Sequence, residues 1–267
     1  METSHLIGYV LAVFVGMTLG MLGSGGSILS VPILVYVMSI EPVLATAYSL
    51  FIIGTTSLVG GIHKAQQKLV DFNKVLLFGI PTVITVFITR KIIVPQIPDI
   101  IFTTTIFTLH KSVLIMVVFA IVMIVASVKM LKPSKEVQIS ASEKLNYYKI
   151  GFQGIGIGLI SGFVGAGGGF LIIPTLLFLT KTPMKIAVGT SLFIVSLQSL
   201  IGFIGDIQVN QVIDWELLFF FTFCSIIGIF IGNYISKKVE SKKLKTGFGW
   251  FVLAMGIYII IKELFLS

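Results

Sequence analysis

The chain has 267 residues, of which 56% are hydrophobic and 11% charged, and its mean hydropathy is +1.06. Soluble domains carry about 25% charged residues, so this composition excludes a soluble protein and indicates one that crosses a bilayer several times. We attribute the net charge of +8 to lysines in cytoplasmic loops, and we expect no nucleic-acid partner.

Apolar segments recur along the whole chain. Since a spanning helix needs about 20 apolar residues, we expect an all-α polytopic membrane protein with about eight to ten transmembrane segments. Segments 27–38 and 170–180 are too short to cross alone, so we predict that they are re-entrant or broken. The ten predicted segments are 5–22, 27–38, 44–61, 75–94, 112–130, 149–164, 170–180, 186–204, 215–236 and 246–265.

The two halves of the chain share a glycine-rich motif. Residues 20–27 read Gly-Met-Leu-Gly-Ser-Gly-Gly-Ser, and the motif returns at 162–169 as Gly-Phe-Val-Gly-Ala-Gly-Gly-Gly. With Gly16 aligned on Gly158 and no gaps as far as Lys64, 17 of 49 residue pairs are identical. We therefore predict a first membrane repeat (1–130), a cytoplasmic linker (131–148) and a second membrane repeat (149–267). The stretch 95–110 has no counterpart and is expected to lie at the outer interface as an amphipathic piece.

The lysines indicate how the chain is oriented, because cytoplasmic loops collect Lys and Arg. If the linker is cytoplasmic and all segments alternate, 15 of the 19 basic residues lie inside and both termini face outward. The loop 63–74 carries three Lys, whereas its counterpart 205–214 carries two Asp and no Lys. Equivalent loops then face opposite sides, which predicts an inverted-topology repeat of the kind found in many secondary transporters.

The glycine runs disfavour a regular helix, since each Gly costs about 1 kcal/mol relative to Ala there. Non-helical backbone at membrane depth must be buried in protein or line a wet cavity. Pro32 and Pro174 follow the runs and suit the first turn of a helix. We therefore expect two helix N-termini whose free amides bind an anion without any Lys or Arg. The alternative is that the glycines only allow close helix packing.

The expected substrate-binding residues come from these runs and from a polar stripe on the third segment of each half. Ser and Thr in membrane helices also bond their own backbone, so the alternative for the stripe is a purely structural role. The candidates are Gly23, Ser24, Gly25, Gly26, Ser27, Ser49, Thr56, Gly165, Ala166, Gly167, Gly168, Gly169, Ser191 and Gln198.

Ionisable groups within membranes are functional candidates by default. Here His63, Lys64, Arg90 and Asp206 all lie near predicted segment ends, where contact with solvent explains them. We keep His63 and Asp206 as candidate coupling or gating groups. The chain has no metal-ligand spacing, nucleotide-binding loop or hydrolase motif, so we expect no cofactor, no metal and no enzymatic activity.

The paired Gly-x-x-Gly-x-Gly-Gly runs are each followed by Pro and then by Ala-x-(Ala/Gly)-x-Ser-Leu-Phe. This duplicated set resembles the TauE/SafE sulfite exporter family, and the likeness covers nearly the whole chain. The first half departs from it after Asp71, where residues 78–89 lack the glycine spacing of Gly228 and Gly232.

The resemblance implies a multi-pass protein of a prokaryotic inner membrane that exports small sulfur-containing anions by alternating access. Sulfite, thiosulfate, sulfoacetate and other organosulfonates are the implied substrates. Proton-coupled anion uptake and a passive anion channel are the alternatives. The lipid bilayer is the expected partner, and the sequence is compatible with an oligomer without specifying one.

Overall fold

The computed structural model describes residues 3–103, 108–131, 147–180, 182–208, 213–236 and 241–265. Within these ranges the chain is almost entirely helical. The helices are α1 (Thr3–Leu22), a 3₁₀ turn (Gly23–Leu29), α2 (Ser30–Tyr36), α3 (Pro42–Gln66), α4 (Phe72–Ile88), a π turn (Thr89–Ile93), α5 (Val94–Gln96), α6 (Lys111–Leu131), α7 (Tyr147–Val164), α8 (Gly169–Leu179), α9 (Met184–Ile207), α10 (Trp215–Ile235) and α11 (Ser241–Phe265).

Each predicted apolar segment coincides with helix in the structure, which confirms the all-α polytopic fold class. Seven helices among the described residues are long and apolar enough to cross a membrane. Large apolar side chains on the outer face, such as Phe152, Phe219 and Phe223, are exposed. Such a surface is suited to lipid and not to water. The linker 131–148 lies mainly outside the described residues.

The stretch 95–110 differs from the expected amphipathic piece. After α5 it forms an antiparallel hairpin of β1 (Ile100–Thr103) and β2 (Thr108–His110), in which Ile100 lies opposite His110 and Thr103 opposite Thr108. All residues of β1 are exposed. A run of Ile, Phe and Thr favours strand over helix because branched and aromatic side chains fit a pleated surface.

The first glycine run reverses the chain. Gly23 has a φ of +65°, which a residue with a Cβ adopts only with strain. The chain then runs back along α1, so that a Cβ on Gly26 would lie 2.5 Å from the Thr18 carbonyl carbon and one on Gly8 would lie 2.6 Å from Met38 Sδ. The 3₁₀ turn and α2 are therefore the returning arm of a hairpin, and re-entry of segment 27–38 into the membrane stays a prediction. Pro32 lies in the first turn of α2.

The second run reverses the chain in the same way, with positive φ at Gly165, Gly167 and Gly168. A Cβ on Gly168 would lie 2.8 Å from Ser161 Cβ on the preceding helix α7. Pro174 does not start a helix as expected, because α8 already begins at Gly169 and the proline lies inside it.

The helices pair across the two halves of the chain. α1 packs in parallel with α10 and α7 in parallel with α4, while α3 packs antiparallel to α9 and α6 packs on α11. Two close approaches have matching positions: Gly16 lies against the carbonyl of Ser225, and Gly158 against that of Thr82. The first helix of each half, α1 or α7, therefore packs mainly against a helix of the other half.

Hydrogen bonds at the starts of α4 and α10 also occur at corresponding positions of the two halves. Asp71 and Asp214 are the N-cap residues of these two helices. The backbone N–H of Asp71 donates to Thr190 Oγ1 at 3.0 Å, and that of Asp214 donates to Tyr48 Oη at 2.6 Å. Tyr48 and Thr190 are themselves matched, since they align when Gly16 is placed on Gly158.

We expect Gly228→Ala to destabilise the protein. The new Cβ would overlap the carbonyl oxygen of Val13 and lie 2.9 Å from the Met17 nitrogen, and backbone atoms cannot move aside as a side chain can. Overpacking of this kind costs about 1–3 kcal/mol. Thermal unfolding in detergent, followed by tryptophan fluorescence, measures the change. Gly156→Ala on α7 is the matched control, since a Cβ there meets no heavy atom within 4 Å. Equal melting temperatures for the two variants would contradict the tight α1–α10 contact.

Candidate functional site

The two glycine turns meet each other. Ser24 Oγ in the first turn donates a hydrogen bond of 3.0 Å to the carbonyl of Gly169 in the second. A Cβ on Gly169 would overlap Ser24. Every residue from Gly23 to Leu29 and from Gly165 to Phe170 is buried, including Ala166 in the apolar core. The two predicted runs therefore form one buried centre, although their sequences are far apart.

The first turn is linked to the start of α2 and to α3 by a chain of hydroxyl groups. Ser30 Oγ donates to the carbonyl of Ser27 at 3.0 Å and lies 2.6 Å from Ser49 Oγ. A Cβ on Gly23 would lie 3.3 Å from Ser191 Oγ of α9, and Ser191 Oγ itself donates to the Val188 carbonyl. Predicted residues Ser27, Ser49 and Ser191 thus lie around the first turn.

The second turn contacts the polar face of α9. Gln198 Nε2 donates to the carbonyl of Gly167 and, at 3.3 Å, to Ser161 Oγ. A Cβ on Gly167 would lie 2.9 Å from Ser199 Oγ. The predicted residue Gln198 therefore holds the second turn directly through the turn's backbone.

Buried polar atoms without a hydrogen-bond partner occur at matched positions of α3 and α9. In the same gap-free alignment of the two halves, Thr56 corresponds to Gln198 and Ser57 to Ser199. Within the described residues, Thr56 Oγ1, Ser57 Oγ, Gln198 Oε1 and Ser199 Oγ all lack a partner, as does Ser27 Oγ of the first turn. Buried polar groups are nearly always paired, so such a group needs an explanation, and a ligand is one.

The expectation that no basic residue is buried is wrong. Arg90, which we placed at a solvated helix end, is 1% exposed. Its Nη1 donates to Thr46 Oγ1 at 2.9 Å and lies 3.4 Å from Asp206 Oδ2. A Cβ on Gly165 would lie 2.6 Å from Arg90 Nη2. A guanidinium group therefore touches the second glycine turn, and Asp206 is a buried ion-pair partner that is 7% exposed.

His63 lies apart from this centre. It is near the end of α3, where its Nε2 is 2.9 Å from Gln67 Nε2 and its ring contacts Phe230. These contacts and its partial exposure are typical of an interfacial side chain. Its role in coupling or gating stays a prediction.

Sequence reasoning missed Arg90 because it treated the end of segment 75–94 as solvated. Two signals were available. Arg90 lies inside that segment, and Asp206 comes two residues after predicted segment 186–204, so a cation and an anion both occur near segment ends. Because a buried charge needs a partner, such a pair is expected to join. Ser57 and Ser199 were also missed, although they are identical in the alignment of the two halves.

The two turns tolerate side chains differently, which predicts opposite outcomes for matched substitutions. Gly25 lacks a positive φ, and a Cβ there comes no closer than 3.8 Å to a neighbour. Gly167, its counterpart, has a φ of +64° and would approach Ser199 Oγ to 2.9 Å. We expect Gly25→Ala to keep the native melting temperature, and Gly167→Ala to lose about 1–2 kcal/mol of stability. Thermal unfolding compares them, and an equal loss in both would contradict the difference.

Comparison with known proteins agrees with this architecture. The family model described as Sulfite exporter TauE/SafE matches residues 9–259. A probable membrane transporter protein of Xylella fastidiosa (strain 9a5c) is 28% identical, covering 92% of this chain and 91% of the relative. The probable membrane transporter protein YunE of Bacillus subtilis (strain 168) is 23% identical over 98% of this chain and 99% of its own length. No solved structure matches the chain significantly. The chain belongs to the TauE/SafE sulfite exporter family and is a membrane transporter.

Proposed function

We propose that the protein is a secondary transporter that exports small sulfur-containing anions, such as sulfite, thiosulfate or organosulfonates including sulfoacetate, by alternating access. The observation that carries this proposal is the meeting of two glycine turns at Ser24 and Gly169, together with unpartnered buried polar atoms at matched positions of α3 and α9. Proton-coupled anion uptake and a passive channel are the alternatives.

The chemistry of the centre fits an oxyanion. Hydroxyl groups of Ser27, Thr56, Ser57 and Ser199 are donors, and hydrogen bonds to a charged acceptor are about twice as strong as neutral ones. The family description names sulfite exporters, and sulfite and sulfonates present several acceptor oxygens on one sulfur atom. Outward movement of one negative charge from a negative-inside cell releases about 2.3 kcal/mol per 100 mV.

The matched contacts of the two halves support the proposed mechanism. In inverted-repeat transporters the substrate binds at the interface of the repeats, and one repeat moves against the other. Here the two halves meet along four helix pairs, α1 with α10, α3 with α9, α4 with α7 and α6 with α11, and at the two turns. We propose the first repeat (1–130) and the second repeat (149–267) as the two moving units.

We expect Thr56→Val to weaken transport without weakening the fold. The threonine hydroxyl is buried and has no hydrogen-bond partner in the part of the chain that the structure describes, so its removal breaks no structural bond. If the hydroxyl binds the anion, KM rises about two- to tenfold, the equivalent of one ordinary hydrogen bond. Flux of radiolabelled sulfite and sulfoacetate into proteoliposomes under an imposed potential measures this.

Thr82→Val is the matched control, because its hydroxyl donates to the Phe78 carbonyl at 2.7 Å on α4. We expect it to retain native KM. Saturable flux with counterflow identifies a carrier, whereas unsaturated current that follows voltage identifies a channel. If the folded native protein moves neither anion, the proposed substrate class is wrong. If Thr56→Val keeps native KM, the hydroxyl does not contact the anion.

We propose that both termini face outward and that the linker is cytoplasmic in a prokaryotic inner membrane. In a Cys224→Ser background, Ser4→Cys and Ser140→Cys place single thiols at the N-terminus and in the linker. A membrane-impermeant maleimide added to intact cells is expected to label position 4 and to label position 140 only after permeabilisation. The reverse pattern would invert the proposed topology.

A further inference from the structure

The setting of Arg90 is unusual for a membrane helix. It lies in the π turn Thr89–Ile93 that follows α4, and its side chain is among the largest that are fully buried. Single-turn π segments are rare and occur frequently at functional sites. A buried guanidinium is also costly unless it is paired. The partners of its nitrogen atoms therefore decide whether the residue is structural.

Only one edge of the guanidinium is occupied. Nη1 meets both Thr46 Oγ1 and Asp206 Oδ2. Nε and Nη2 have no hydrogen-bond partner among the residues that the structure describes, and both are buried. The Nε–Nη2 edge carries two parallel N–H groups, the arrangement that binds two oxygens of one oxyanion. The Nη2 end of this edge lies against the second glycine turn, since a Cβ on Gly165 would be 2.6 Å from Nη2.

The ion pair itself is loose. The 3.4 Å between Arg90 Nη1 and Asp206 Oδ2 exceeds the roughly 2.7–2.9 Å of a charge-assisted hydrogen bond. Asp206 Oδ2 also has no hydrogen-bond partner of proper geometry in the described ranges. Asp206 thus balances the charge of Arg90 without fixing it in place.

The matching position of the other half carries an analogous group. Asp71 and Asp214 are the N-caps of α4 and α10, and Arg90 and Asn233 lie equally far along the chain beyond these two caps. Asn233 is 4% exposed, and both polar atoms of its side chain lack partners within the described part of the chain. Buried, unpartnered donors therefore occur at this position in both halves.

We propose that Arg90 binds the transported oxyanion through its Nε–Nη2 edge, and that Asp206 is an internal counterion that competes with the anion for the guanidinium. This inference rests on the proposed anion transport, and it assigns Arg90 to the proposed anion site as its charged group. When the oxyanion binds, it neutralises Arg90 and the hold of Asp206 weakens. When the anion leaves, the carboxylate again balances the buried charge, which assists release.

Binding of sulfite to the detergent-solubilised full chain, measured by titration calorimetry in chloride buffer, tests the exchange. Asp206→Asn removes the competing charge and keeps the size of the side chain, so we expect sulfite to bind about tenfold more tightly. The double variant Arg90→Gln/Asp206→Asn removes both charges together, so no unpaired charge is left to unfold the protein. We expect it to lose saturable sulfite binding.

Two further variants test whether sulfite binding needs the two parallel N–H groups of Arg90 or only its positive charge. Arg90→Lys keeps the charge but loses the two-pronged edge, so we expect a reduced preference for sulfite over chloride. Lys91→Gln is the matched control, because this neighbouring cation is exposed and lies over the Phe87 ring. It should bind sulfite as the native chain does.

The outcomes distinguish the two proposals. If the native chain binds and transports sulfite and the double variant does so with native affinity, the role of Arg90 is wrong while anion transport stands. Unchanged or weaker binding in Asp206→Asn contradicts the exchange, since a merely structural pair predicts that result. If the native chain neither binds nor transports sulfite, both proposals fail.

Discussion

Backbone that leaves a helix at membrane depth must be covered by protein, because lipid offers no hydrogen bonds. This constraint accounts for much of the architecture. Each glycine turn is covered by the other half of the chain: Ser24 bonds the backbone of the second turn, and Val188 lies beside Gly23 as Thr46 lies beside Gly165. Neither turn is buried by its own half alone, so the two halves must fold against each other.

The need to cover the turns also explains why only certain positions require glycine. Gly23, Gly165, Gly167 and Gly168 have positive φ, so they permit reversals that other residues resist. Gly16 and Gly228 instead lie where α1 and α10 approach backbone to backbone, as at other close helix contacts in membranes. The glycines that reverse the chain and the glycines that allow close helix packing therefore occupy different positions.

Local signals in the sequence were enough for the fold class and for the position of the two glycine turns. Hydropathy placed the long segments because a spanning helix needs about 20 apolar residues, and the repeated motif identified the two turns because positive φ favours glycine. Contacts between residues far apart in the chain could not be predicted from the sequence. Arg90 contacts Thr46, which is 44 residues away in the chain, and no local pattern identifies that partner. No pattern in residues 100–110 specifies that Ile100 pairs with His110.

The two halves are matched but unequal, and the inequality bears on mechanism. At the first turn a Cβ on Gly25 would have 3.8 Å of clearance, whereas at the second turn Gly167 is in close contact with Ser199. The buried cation also belongs to the first half only, since Arg90 corresponds to the neutral Asn233 in the second half. In the proposed mechanism one half moves against the other around the site. Because Arg90 belongs to one half only, the two conformations of the proposed carrier are not equivalent in the charge that they present to an anion.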